Sequence, residues 1–146
     1  VLDSYRIRTR LKEINKRVRI LNEKFKPLSE EKLTKDEILN TSAERNLQIA
    51  VQACIDIANH IVAAFALDRA FRETAEVFDS LAQEKIIPDD FANTMIKITA
   101  YRNVLVHGYL DVNRRITYEN IQKHLSDLTK FAQYIEKFLE KKSKKP

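Results

Sequence analysis

Gly108 is the only glycine in 146 residues, and it directly follows His107. A helix running through Lys97, Ala100 and Val104 needs a residue tolerant of positive φ in order to stop, and glycine takes that conformation without steric cost. The expected picture is a helix end that presents His107. The stretch Tyr101-Arg-Asn-Val-Leu-Val-His-Gly-Tyr109 adds the guanidinium of Arg102, the amide of Asn103 and the phenol of Tyr109. On an ideal helix Arg102 and His107 diverge by about 140°, whereas Asn103 and His107 share a face. Arg102 and His107 therefore cannot meet on one straight helix. Either the helix bends or unwinds near Gly108, or a two-fold related chain brings a second copy of the stretch across to complete one site.

The rest of the chain reads as helix. Ile7, Leu11, Ile14, Val18, Leu21 and Phe25 are spaced 4, 3, 4, 3, 4, which predicts a first helix from about Tyr5 to Phe25 that packs on a neighbour. Pro27 ends it, and 27–34 reads as a connection. A long second helix begins near Lys35 and is firm from Ala43 to Phe65, with Leu47, Val51, Cys54, Ile55, Ala58, Ile61, Val62 and Phe65 in a wide stripe suited to the centre of a bundle. A third runs from about Thr74 to Glu84, with Ala75, Phe78, Leu81 and Ala82 inward. Pro88, Asp89 and Asp90 suit the first turn of a fourth, which carries Phe91, Met95 and Ile98 and then the motif. After a polar turn Thr117 is the expected N-cap of the last helix, with Glu119 in its first turn and Ile121, Leu125, Leu128, Ala132, Ile135 and Phe138 on its buried face. With no strand-period run and no internal repeat, the fold class is all-α: an antiparallel bundle of about five helices. Residues 1–140 form one domain, and 141–146 a frayed basic tail.

Several functions are excluded or unsupported. The single cysteine, Cys54, rules out an intrachain disulfide framework and a cysteine zinc cluster, and reads as a small buried residue. His60, His107 and His124 lie far apart with no i, i+4 pair, so no metal site is expected, and one glycine cannot make a phosphate-binding loop. No cofactor is expected. Asp56 and His60, four apart, can bond to each other on one face and read as structural, and His124 reads as a surface residue. No apolar run looks long enough to span a bilayer and the N-terminal segment is charged, so no membrane association and a cytoplasmic location are expected. Residues 1–26 carry nine Lys/Arg against three acids and residues 137–146 five against one. This unevenness favours a polyanion partner at the two ends only weakly, since charges at helical spacing are usually a solvated face.

The arrangement Arg102-Asn103-x-x-x-His107-x-Tyr109 resembles the Arg-x-x-x-x-His-x-Tyr motif of HEPN-domain ribonucleases. Its setting is similar to HepT, the toxin half of the HepT–MntA toxin–antitoxin pair. Glu44-Arg-Asn-Leu-Gln48, Asp56-Ile-Ala-Asn-His-Ile61, the segment Phe78 to Pro88 and Leu-Val-His-Gly-Tyr-Leu all look like HepT-type sequence, so the resemblance spans residues 1 to 140 approximately. It implies an active site at a dimer cleft, with the two motifs facing each other. It also implies that Tyr109 is the site at which a partner nucleotidyltransferase of the MntA type attaches AMP. Phosphates placed two residues from His107 would compete with RNA for Arg102. The pair Arg114-Arg115 departs from the more acidic turn of HepT-type chains.

The residues suit metal-independent RNA cleavage. Attack of a 2′-OH on the adjacent phosphate needs a base, an acid for the leaving 5′-oxygen and a cation for the phosphoryl oxygens. His107 titrates in the right range to serve as base or acid. Arg102 offers a fork that matches phosphoryl geometry and never deprotonates, Asn103 orients the imidazole or the phosphate, and Arg114 and Arg115 are candidate RNA contacts. Without the resemblance, Arg102 would read as a cap on helix-terminal carbonyls or the partner of an acid, and His107 as a helix-terminal histidine favoured by the dipole. The alternative function is a non-catalytic helical module that binds RNA or a nucleotidyltransferase.

Overall fold

Three side chains start three helices in the same way. Asp3 Oδ1 accepts the Arg6 N–H at 3.0 Å, Ser29 Oγ accepts that of Lys32 at 3.1 Å, and Asp36 Oδ1 accepts that of Leu39 at 3.0 Å. Each satisfies a first-turn amide that has no partner inside its helix. In the computed structural model, which describes residues 2–65, 74–106 and 114–144, these caps open α1 (Ser4–Ile20), α2 (Glu30–Lys35) and α3 (Glu37–Ala64). They are followed by α4 (Thr74–Gln83), α5 (Asp89–Val106) and α6 (Arg114–Lys144), and every regular element among the described residues is helical.

α1 widens at its end into a π turn, Leu21–Phe25, closed by the Lys26 N–H on the Leu21 carbonyl at 2.8 Å. Ile7, Leu11, Ile14, Leu21 and Phe25 are buried and Val18 packs at the core's edge, so the whole stripe is used. The segment expected to be a plain connection holds α2. Ser29 caps it, Glu30 and Glu31 sit at its positive end and Lys32 and Lys35 in its last turn. Leu33 is its one buried residue, so there was no apolar period to reveal it.

α3 is the centre and packs against each of the other five helices. Leu47, Val51, Cys54, Ile55, Ala58, Ile61 and Val62 are all buried. Among the described helices α3 is the one long and apolar enough, by length and composition, to cross a membrane, against the expectation that no run reaches that length. Its buried residues run from Asn40 to Val62, and that apolar surface is what the neighbouring helices cover.

On α4, Phe78, Leu81 and Ala82 point into the core; the side chain of Ala75 lies outside the described part. The Phe78 ring meets Phe131 of α6 edge to face with centroids 5.9 Å apart. The helix closes with the Lys85 N–H on the Ala82 carbonyl at 2.9 Å and the Ile86 N–H on that of Leu81 at 3.0 Å. This is the doubly bonded left-handed cap usually built on glycine, and here Lys85 adopts it at φ 59°.

α5 and α6 run antiparallel. At one end Phe91 meets Tyr134 with ring centroids 5.1 Å apart, and at the other the hydroxyls of Tyr101 and Thr117 are 2.6 Å apart. Thr117 is therefore not the N-cap. α6 begins at Arg114, placing Thr117 in its first turns, where it is fully buried. At the other end Lys141 to Lys144, expected to be frayed, continue α6, and residues 145–146 lie outside the described part.

Candidate functional site

Phe91, Met95, Ile98 and Tyr101 bury one face of α5 and so fix its rotation. Tyr101 is anchored further by Thr117, and burial pushes its phenol above the ordinary tyrosine range, with the charge of Glu44 adding and the Thr117 bond opposing. It stays protonated and structural. The next residue, Arg102, leaves the edge of that face half-buried. Its Nε donates to Gln52 Oε1 at 2.8 Å and its Nη1 to Asn103 Oδ1 at 3.1 Å. Arg102 and Asn103 are thus brought together, with the amide as acceptor for the guanidinium.

Gln52 is held in turn. Its Nε2 donates to Asp56 Oδ1 at 2.9 Å, and Asp56 Oδ2 lies 3.4 Å from Arg10 Nε of α1. The polarity alternates: guanidinium, amide oxygen, amide N–H, carboxylate, guanidinium. Reversing the Gln52 amide would set its N–H groups against Arg102 and its oxygen against Asp56, so the two charged neighbours fix one orientation. A cleft of about 310 Å³ opens on the same side of α3, lined by Gln48, Gln52 and Asp56 together with Arg10, Glu13 and Arg45. It presents two further cations next to the residue that positions Arg102.

Of the remaining candidate site residues, His107 and Tyr109, with Gly108, lie outside the described residues. Arg114 and Arg115 stand in the first turn of α6 rather than on a loop. Arginines oppose the positive end of a helix, and each is compensated. Arg114 Nη1 donates to the Thr34 carbonyl at 2.8 Å, satisfying a group in the last turn of α2, and Arg115 Nε lies 3.1 Å from Glu119 and 3.5 Å from Glu30. Burial raises the Glu44 carboxyl, with Arg114 partly offsetting it. The spacing of Asp56 and His60 allows them to bond each other. Instead Asp56 takes Gln52 and Arg10, while His60 Nε2 accepts the Asp3 N–H at 3.0 Å at the head of α1. His124 is partly exposed and pairs with Asp127 at 3.0 Å. Cys54 is fully buried, which pushes its thiol up and away from any reactive thiolate.

Sequence reasoning missed Gln52 and Arg10. The signal was present for the first: Gln48, Gln52 and Asp56 are polar at steps of four in an otherwise apolar helix and so share a face. Nothing in the spacing indicated that this face meets Arg102, fifty residues later.

A family model described as Ribonuclease HepT-like matches residues 14–135. The mRNA nuclease HepT of Shewanella oneidensis is 35% identical over 100 residues, covering 68% of this chain and 74% of that protein. The tRNA nuclease HepT of Aphanizomenon flos-aquae is 28% identical over 96 residues, covering 66% of this chain and 65% of that protein. Among solved structures, the tri-AMPylated HEPN toxin of Shewanella oneidensis in complex with MNT antitoxin superposes with a TM-score of 0.80 at 29% identity, over 90% of this chain and 96% of that one.

Proposed function

Because the chain belongs to the HepT-like ribonuclease family, we propose that it is a metal-independent endoribonuclease toxin, silenced by AMP transfer to Tyr109 from an MntA-like nucleotidyltransferase antitoxin. The observation that carries this reading is the fixed guanidinium of Arg102, held by Gln52 at 2.8 Å on a helix whose rotation the core sets. Only part of its five-donor fork is used by Gln52 and Asn103. A cation already in place where phosphoryl charge develops needs no reorganisation during the reaction.

In the proposed step the 2′-oxygen attacks phosphorus as the bond to the 5′-oxygen breaks, leaving a cyclic phosphate and a free 5′-hydroxyl. His107 takes the 2′-OH proton or gives one to the leaving oxygen. One chain has one such imidazole, so two chains facing each other across a cleft supply both roles, and the active form is a homodimer. Asn103 supports Arg102, and Arg115, exposed on α6, meets the RNA backbone more readily than Arg114, whose guanidinium holds α2. AMP added to Tyr109, two residues from His107 in sequence, would set its phosphate in competition with RNA for Arg102. The protein acts on cytoplasmic RNA.

The test is cleavage of total cellular RNA by unmodified protein in EDTA, beside Arg102→Ala and His107→Ala. Cleavage that survives the chelator and disappears in both variants is expected. Absence of cleavage by protein whose mass shows no AMP, with RNA or nucleotidyltransferase still bound, would favour a non-catalytic binding module.

A further inference from the structure

A second feature with nucleic-acid chemistry lies at the other end of α6. A groove of about 570 Å³ runs between the last turns of that helix and the connection from α4 to α5. Tyr134, Lys137, Phe138, Lys141 and Lys142 line it from α6. They fall at i, i+3, i+4, i+7 and i+8, a single helical face, while Glu136 and Glu140 fall on the far side. Lys85 adds a fourth ammonium from the opposite wall, and Glu84 is the one carboxylate in the lining.

The rings and the charges are interleaved. Phe65 and Phe138 meet at 81° with centroids 5.8 Å apart, and Lys142 Nζ sits 4.5 Å from the Phe65 centroid and 5.9 Å from that of Phe138. Half-buried rings beside ammonium groups are the two elements that hold single-stranded nucleic acid: a flat face on which any base stacks and cations that follow the backbone. Lys85 stands in a left-handed position, φ 59°, where glycine is the favoured residue, and a lysine there gives this wall a cation that glycine would not. A peptide rich in carboxylates would satisfy the lysines but leave the rings unused.

We infer that this groove is a second RNA-binding site, which grips single-stranded RNA at a distance from the scissile bond. The inference rests on the ribonuclease reading for the identity of the polyanion. Twenty residues of α6 separate Thr117, beside Tyr101 at the Arg102 end, from Lys137, a rise of about 30 Å. One strand that reaches both places gains affinity by the effective concentration of its second contact, so long RNA is held more tightly than short RNA.

The test measures binding of labelled oligouridylates, one too short to span both places and one long enough, to protein carrying His107→Ala, so that the RNA stays intact while Arg102 is kept. Adding Lys137→Glu and Lys141→Glu is expected to weaken the long RNA about tenfold or more and to lower the salt slope by about 1.4, the value for two phosphate contacts on a single strand. The same two changes in otherwise native protein should leave cleavage of the short RNA unaltered. In protein with its rings intact, thiouridine-substituted long RNA is expected to crosslink to Phe65 or Tyr134, and crosslinks confined to residues outside the groove would overturn the inference. An equal loss on Lys12→Glu with Lys16→Glu, two exposed residues of α1, would overturn the inference as a net-charge effect. So would unchanged affinity for the long RNA, or a change in oligomer mass in its place, which would make the groove a protein interface. Groove-dependent binding without any cleavage by the native protein would remove the ribonuclease reading and leave the site standing.

Discussion

A guanidinium that neutralises a phosphoryl oxygen helps most when it is in position before charge develops, and in the role proposed for Arg102 that position depends on Gln52. Leucine at position 52 has similar bulk but no acceptor, so Arg102 would lose its 2.8 Å restraint and Asp56 its 2.9 Å donor. Gln52→Leu is expected to lower kcat for RNA cleavage by about 10–100-fold, the scale of a reactive group displaced by about 1 Å, with a smaller change in KM. Restoration of most of the rate by Gln52→Glu combined with Asp56→Asn, which returns the acceptor to Arg102 and lets residue 56 donate to it, would separate positioning from loss of packing. Equal rates for wild type and Gln52→Leu would show that Arg102 holds its place unaided. Arg102 and Asn103 were legible because they lie within one short motif. Their support was not, because hydrogen bonds between helices far apart in sequence leave no mark in local spacing.

Elements meet at two places where sequence rules were bent. Lys85 stands where the cap of α4 favours glycine. Lys85→Gly should relieve the left-handed strain and, net of glycine's freedom in the unfolded chain, stabilise the fold by about 0.5–1 kcal/mol in urea titration. A loss of stability would mean that Lys85 makes contacts worth more than the strain. The other place joins α3, α5 and α6, where Glu44 lies near Tyr101 and Arg114. Burial raises its carboxyl above the unfolded value, so the contribution to stability is complete below the unfolded pKa and is lost as pH rises through the folded one. Glu44→Gln is therefore expected to raise Tm at neutral pH and to leave it unchanged in acid, below the ordinary carboxylate range. A fall at neutral pH would show the attraction of Arg114 outweighing burial. The long helices were readable because their apolar periods repeat over many turns. α2 and the first turn of α6 were not: one has a single buried leucine, and the other begins with two arginines whose compensation by Thr34, Glu30 and Glu119 comes mainly from elsewhere in the fold.

For the molecule as a whole, the decisive question is how many chains build one cleft. Described α5 is regular through Val106, so Arg102 belongs to a helix on which a residue five positions later points about 140° away. A cleft that needs one imidazole as base and another as acid draws them from two chains. That arrangement has a signature in mixed dimers. If His107→Ala protein is exchanged with wild type at constant total concentration, cleavage should fall as the square of the wild-type fraction, because only dimers with both imidazoles turn over. A site complete within one chain would give a fall in simple proportion. An intermediate curve would arise if one imidazole sufficed at reduced rate, and adding Arg102→Ala chains to the His107→Ala chains would then restore measurable cleavage, since each mixed dimer keeps one arginine and one histidine in the shared cleft. Light scattering on the same samples fixes the dimer population, so the exponent reports the chemistry of the cleft and not the extent of association.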